Sequence, residues 1–230
     1  MLGRENLRRC QQNRLAARSH DVQHRANGNN RLPTTDISLQ QPLHGYLSGE
    51  IGEREWYLFY VRGTMYERTD NWEGAEADFR RALELNPGQP QVLNYLGYSL
   101  VEQGRNLDEA LNMIERAVAA SPESGYIVDS LGWVLYRLGR YEEAVDQMER
   151  AVELVAVDPV VNDHLGDVYW SVGRQREAEF QWRRALSFVD PEDKDSEADP
   201  DRMRRKLEVG LDAVLAEEGA EPLSKASAEK

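Results

Sequence analysis

The stretch that decides the fold is residues 125–158, which read GYIVDSLGWVLYRLGRYEEAVDQMERAVELVAVD. Apolar residues recur at steps of three and four on both sides of Gly139: Val128, Leu131, Leu135 and Leu138 before it, and Ala144, Met148, Ala151 and Val152 after it. Steps of three and four place side chains on one face of an α-helix, and a glycine readily ends one. The stretch therefore predicts two helices joined by a turn.

The same arrangement returns along the chain with a period of about 34 residues. Glycines in similar surroundings, separated by 34, 35 and 34 residues, are Gly63, Gly97, Gly132 and Gly166. Small residues follow each of them after twelve or thirteen positions, at Ala75, Ala110, Ala144 and Ala178. Large apolar residues stand four positions later, at Phe79, Ile114, Met148 and Trp182. A regular period of this length is typical of stacked units that share their buried sides.

The fourth unit contains Leu165-Gly166-x2-Tyr169, followed by Ala178-x3-Trp182-x2-Ala185. This pattern, on this period, resembles the tetratricopeptide repeat. The resemblance implies an all-α fold, a right-handed α-solenoid of about four helix-turn-helix repeats within residues 51–192. The repeats are expected at 56–89, 90–124, 125–158 and 159–192. The first repeat departs most from the pattern, because Arg62 stands where leucine is expected.

The regions outside the repeats have different compositions. Residues 1–50 are poor in aromatics, and residues 1–31 hold seven arginines and two acids, a net charge of +5. We expect residues 1–50 to be a basic, disordered segment. Residues 193–200 read as an acidic linker and residues 219–230 as a flexible tail. Between them, residues 201–218 carry an apolar stripe and are expected to form a helix that caps the last repeat.

The beginning of the first repeat needs a covering. Residues 56–61 are all apolar or aromatic, and a helix that is apolar on every side is normally buried. Residues 37–50 could fold over it, or another chain or further repeats upstream could do so. We therefore predict either the carboxyl end of a longer array or a homo-oligomer joined through the N-terminal repeat.

Composition excludes several classes of function. The formal net charge of −13 argues against nucleic acid as the main partner, since phosphate binding needs surplus cations. Cys10 is the single cysteine, and the four histidines are scattered, so we expect no metal site and no cofactor.

His164 lies near Asp163 and Asp167 but without a nucleophile, and we read it as a surface histidine. Charged residues on the second helices, such as Asp78, read as a solvated face. The chain is not expected to be an enzyme.

The amino end carries no secretory signal, since no apolar stretch follows its basic start. The longest apolar run has six residues, far fewer than the ~20 that span a bilayer. We expect a cytoplasmic protein, or a periplasmic one if an export signal lies upstream of Met1.

The resemblance also implies a concave groove lined by the first helix of each repeat. The residues at its inward positions are Tyr60, Asn94, Tyr95, Tyr98, Asp129, Trp133, Tyr136, Asp163, Asp167 and Trp170. Aromatic anchors are typical of recognition surfaces, and the three aspartates favour a partner that bears Lys or Arg. The same rings can instead pack on neighbouring repeats, as with Tyr95, Tyr98 and Trp133.

Two functions follow. The first is a non-catalytic scaffold that binds a segment of a partner protein in the groove. The alternative is a structural assembly module, in which the repeats join copies or complete a larger array and the basic tail contacts anionic lipid or RNA.

Overall fold

The computed structural model of the chain describes residues 55–192, 198–220 and 223. Over these residues it contains ten α-helices and no strand, which confirms the all-α prediction. The helices are α1 (Trp56–Arg68), α2 (Trp72–Leu85), α3 (Pro90–Glu102), α4 (Leu107–Ala120), α5 (Gly125–Arg137), α6 (Tyr141–Leu154), α7 (Pro159–Ser171), α8 (Gln175–Phe188), α9 (Pro200–Val209) and α10 (Leu211–Glu217). The predictions for residues 1–50, for most of the linker and for most of the tail fall outside the described residues.

The first eight helices form four helix-turn-helix pairs, each with a first helix of 13 residues and a second helix of 14. The turn within a pair needs one residue in the left-handed region. Gly104, Gly139 and Gly173 supply it with φ of +63°, +74° and +80°. The first pair lacks this glycine, and Asp70 adopts φ 59° instead. Aspartate tolerates that conformation better than most residues, so the turn is kept without glycine.

The periodic glycine is required by the close approach of the two helices in a pair. A Cβ atom added at Gly132 would lie 2.7 Å from the Cγ of Met148, which is shorter than real contacts allow. Trp182 lies against Gly166 in the same way. These contacts explain why the glycine and the large apolar residue recur together.

Residues 55–87 form one compact unit, made by α1 and α2. Ala75, Phe79 and Ala82 of α2 are fully buried. Arg62 of α1 donates to both carboxylate oxygens of Asp78 on α2, at 2.6 and 2.7 Å. Asp78 is therefore buried and paired, and the prediction that it belongs to a solvated face is wrong.

Residues 88–220 form a second compact unit that holds α3 to α10. Here each second helix packs against the first helix of the next pair, α4 against α5 and α6 against α7. Successive first helices also touch one another, α3 with α5 and α5 with α7. Buried Leu96, Ile114, Leu165 and Trp182 contribute to a core that continues from pair to pair.

The C-terminal cap is two helices rather than the single helix expected over 201–218. The break is at Gly210, whose φ of +83° an L-residue rarely adopts and whose N–H bonds to the carbonyl of Lys206. α9 packs against α8, the position that the next repeat would take. Met203, Leu211 and Val214 are buried there, as the apolar stripe predicts.

Within the described part of the chain, none of the helices combines the length and the apolar character needed to cross a membrane.

Candidate functional site

The structure divides the ten predicted groove residues into two groups. Those buried in the protein are Asn94, Tyr95, Asp129, Tyr136 and Asp167. Those partly accessible are Tyr60, Tyr98, Trp133, Asp163 and Trp170. Tyr60 belongs to the 55–87 unit, where its ring lies 6.3 Å from that of Phe79. The buried residues cannot meet a partner directly, so any contact surface is narrower than the sequence predicts.

We define the aromatic face as Tyr98 of α3 with Tyr126 and Trp133 of α5; Tyr126 is exposed, and the other two are partly accessible. Trp133 is held across the two helices, because its Nε1 donates to Oε1 of Glu102 at 2.9 Å. Arg137 donates to the same oxygen at 3.4 Å. The indole is therefore fixed by a neighbouring repeat, as one interpretation of the sequence anticipated.

His164 continues this chain of contacts into the next repeat. Its imidazole stacks on Trp133 with ring centroids 4.2 Å apart, and its Nδ1 lies 2.9 Å from Oδ1 of Asp129. His164 is buried by these neighbours, so the prediction of a surface histidine is wrong. We refer to the series Glu102, Trp133, His164 and Asp129 as the ladder, because it ties α3, α5 and α7 together.

The acids of α7 are held by the cap. Lys206 of α9 is 1% exposed, and its Nζ lies 2.9 and 2.8 Å from the two oxygens of Asp163 and 2.6 Å from Oδ1 of Asp167. Arg202 reaches the other oxygen of Asp167 at 3.4 Å, and Trp182 donates to Oδ1 at 2.9 Å. The lysine expected from a partner is thus supplied by the chain itself.

Burial and charge act in opposite directions on this cluster. Burial raises the pKa of Asp163 above its ordinary value, against the opposing effect of Lys206. Burial also acts to raise the pKa of Asp167, but the charges of Lys206 and Arg202 outweigh it, and the pKa is lowered. Asp167 therefore remains ionised, and its charge stabilises the two cations of the cap.

The cap also covers Trp170, the last residue of the predicted groove. Its Nε1 donates to Oδ2 of Asp212 on α10 at 3.0 Å, and its ring lies 5.4 Å from that of Trp182. A Cβ at Gly210 would lie 2.6 Å from the Trp170 ring. The break between α9 and α10 thus makes room for the indole, and Trp170 serves the cap.

Sequence reasoning missed Lys206, Arg202, Glu102 and Asp212 as partners of the groove positions. One signal was available for Lys206, which lies three residues after Met203 and so falls within the apolar stripe of the cap. A lysine on a buried face is rare unless it is paired. Among the described residues, no cluster of three potential ligands could hold a metal ion.

Comparisons with known proteins agree with this architecture. The tetratricopeptide repeat profiles of two families match residues 56–89 and 95–159. A segment of 83 residues is 32% identical to the TPR repeat-containing protein PA4667 of Pseudomonas aeruginosa; it covers 36% of this chain and 14% of that protein. The chain thus spans about one seventh of that relative's length.

Solved structures show the same fold. MamA has a TM-score of 0.53 at 19% identity, covering 68% of this chain and 84% of its own. YrrB, described as a TPR protein with an unusual peptide-binding site, has a TM-score of 0.51 at 20% identity, covering 61% and 71%. The Thermobaculum terrenum O-GlcNAc transferase has a TM-score of 0.53 at 21% identity, covering 58% of this chain and 25% of its own.

The 34-residue period, the glycine that admits a large side chain, the paired helices and the two profile matches agree with one another. Residues 56–89 and 95–159 of this chain match tetratricopeptide repeat models, and they fold as the helix pairs typical of that repeat.

Proposed function

We propose that the chain is a non-catalytic scaffold that holds a segment of another protein against the aromatic face. The observation that carries this proposal is the fixed position of Trp133, whose ring is bonded to Glu102 at 2.9 Å and stacked on His164 at 4.2 Å. A ring that is already ordered loses little conformational entropy when a partner arrives. Exposed Tyr126 lies two turns before Trp133 on the same side of α5, and partly accessible Tyr98 holds the equivalent position on α3, so both extend the surface.

The chemistry of the partner follows from which groove side chains are not already engaged by other residues of the chain. Lys206 and Arg202 occupy the carboxylates of Asp163 and Asp167, and His164 occupies Asp129. The partner is therefore anchored by an apolar or aromatic side chain rather than by a lysine or arginine. The peptide-binding site named in the description of YrrB supports a peptide as the form of this partner.

The proposal is tested by selecting a displayed library of random peptides on the purified full chain and measuring Kd for the enriched peptides. Tyr98→Ala removes an anchor without touching the bond between Trp133 and Glu102. Loss of one anchoring ring typically weakens binding by about 1–2 kcal/mol or more, which corresponds to a Kd at least about fivefold higher.

The matched control is Phe180→Ala on α8, which removes an aromatic ring that is 61% exposed outside the aromatic face. It should leave Kd unchanged, and both variants should melt like the parent. Peptides that bind both variants equally, or a library from which nothing is enriched, would count against the scaffold.

Assembly of copies is a second candidate function, because α1 exposes Leu58 and Met65. The basic tail that would contact lipid or RNA lies outside the described residues. Analytical ultracentrifugation tests this function: Leu58→Glu should dissociate an assembly held through α1 and leave Kd for the selected peptides unchanged.

A further inference from the structure

The first helices α3, α5 and α7 together hold four acids and one cation. The acids are Glu102, Asp129, Asp163 and Asp167, and the cation is Arg137 of α5. Their carboxylates are engaged by Trp133, by His164 and by Lys206 of the cap. The charge that these helices leave available to a partner is therefore that of Arg137.

The guanidinium of Arg137 is only partly used. Its side chain is 35% exposed, and its Nη1 donates to Oε1 of Glu102 at 3.4 Å, whereas a strong charge-assisted bond measures about 2.7–2.9 Å. Arg62 provides the contrast, because it donates to both oxygens of Asp78 at 2.6 and 2.7 Å. Since a guanidinium has five N–H donors, most of those of Arg137 bond to no residue in the described part of the chain.

The register of the repeats shows which side of Arg137 lacks an acid. Glu102, Arg137 and Ser171 each stand five positions after the periodic glycine of their helix, so they form one row across α3, α5 and α7. Glu102 supplies a carboxylate on the α3 side. On the α7 side stands Ser171, whose Oγ donates to the carbonyl of Val168 in its own helix at 2.7 Å. A carboxylate from another molecule would supply on the α7 side what Glu102 supplies on the α3 side.

Arg137 also lies beside the aromatic face. Its Nη1 and the Nε1 of Trp133 donate to the same oxygen of Glu102, which places the cation next to the indole. Tyr126, Trp133 and Arg137 follow one another at steps of seven and four, which keep side chains on one side of a helix. Four helical residues span about 6 Å, a distance that an extended chain covers in about two residues.

We infer that Arg137 binds the side-chain carboxylate of an Asp or Glu that the partner segment carries about two residues from its apolar anchor. This inference rests on the proposed scaffold function, because it names a second contact of the same segment. The guanidinium then lies between two carboxylates, which its planar fork of donors allows. The net charge of −13 does not prevent this contact, because exposed charges farther than about 8 Å apart are largely screened at physiological salt.

The peptides enriched on the full-length chain test this site. Each is synthesised in an acidic form and in an amide form, in which Asn or Gln replaces the acid. Both ends are blocked, so a terminal carboxylate cannot take the place of the side chain. Kd is measured for both forms on the parent, on Arg137→Gln and on the matched control Arg183→Gln. The control loses the same charge on α8, where the Arg183 side chain is 62% exposed and pairs with Glu179.

We expect the enriched peptides to carry an acid about two residues from the anchor. Arg137→Gln should raise Kd of the acidic form about fivefold and that of the amide form less than about twofold, as loss of a partly exposed ion pair does. Arg183→Gln should change neither value. Equal effects of Arg137→Gln on the two forms, or enriched peptides without the acid, would overturn the inference. Because both forms are measured on the same variant, a change in its stability affects them alike.

Failure of this site is distinguishable from failure of the scaffold. Tyr98→Ala should weaken the acidic and the amide form equally, because it removes an anchor that both forms use. If Tyr98→Ala does so while Arg137→Gln leaves the acidic form unchanged, the scaffold stands and the carboxylate site is wrong. If no peptide is enriched, both are wrong.

Discussion

Replacing Lys206 with methionine tests how the cap is held. The side chain is 1% exposed, and its Nζ is within 2.9 Å of three carboxylate oxygens on Asp163 and Asp167. Methionine keeps the length of the apolar stem, so packing changes little, but buried Asp167 and mostly buried Asp163 lose their main cation. Breaking a buried ion pair from one side costs about 3–5 kcal/mol. Arg202, at 3.4 Å from Asp167, and the indole N–H of Trp182, at 2.9 Å, remain to offset part of this cost.

The free energy of unfolding is measured by urea titration followed by tryptophan fluorescence. With a slope of about 2 kcal/mol/M, the midpoint should fall by roughly 1.5–2.5 M. Arg204→Met on the same helix is the matched control, because its side chain is 60% exposed and should change stability by less than about 0.5 kcal/mol.

A second control removes the whole cluster. The triple variant Asp163→Asn, Asp167→Asn, Lys206→Met leaves no buried charge unpaired and should regain most of the lost stability, as replacement of whole buried pairs does. If Lys206→Met stayed within about 1 kcal/mol of the parent, or if the triple variant were the least stable of the set, the reasoning would be refuted.

The remaining predictions concern acid stability and core packing. Because the folded protein lowers the pKa of Asp167, its contribution to stability is complete above the unfolded value of about 3.9 and is lost as pH falls through the folded value. Urea titrations between about pH 5 and pH 2 should show a flatter acid limb for Lys206→Met, and an unchanged limb would contradict the assignment. Trp182→Ala should lower the free energy of unfolding by about 3–5 kcal/mol, because the ring is fully buried; calorimetry checks this value. Gly132→Leu should lower it by about 1–3 kcal/mol or more, since its Cβ alone would collide with Met148, and a parent-like melting temperature would refute the close approach.

The fold could be predicted because its determinants are local and repeated. The three- and four-residue steps, the glycine at the crossing and the large apolar residue four positions after the alanine lie within one repeat. The turn at Asp70 shows that this prediction survives the loss of one determinant, since aspartate adopts φ 59° there in place of glycine.

The candidate site was less accessible to sequence reasoning, because its contacts join residues far apart in the chain. Lys206 meets Asp163 and Asp167 across 43 and 39 residues. Glu102 meets Trp133 across 31 residues. The repeat period does not predict the pairs of Lys206, because Lys206 lies outside the repeats. Helical positions indicated which side chains point between first helices, but which of them are accessible depends on the neighbouring helix.

The acid pair of α7 also determines what can stack on the last repeat. Asp163 and Asp167 lie four residues apart on one helix face, and Lys206 reaches both. Lys206 is the seventh residue of α9, and the seventh residues of α3 and α5 are the apolar Leu96 and Leu131. A further repeat with an apolar residue at this position would bury the two carboxylates of α7 without a cation. That arrangement costs several kcal/mol, so the acids favour the cap over another repeat or a second copy at this end. The aspartates that the sequence offers to a partner thus act within the chain, where they select the helix that ends the stack.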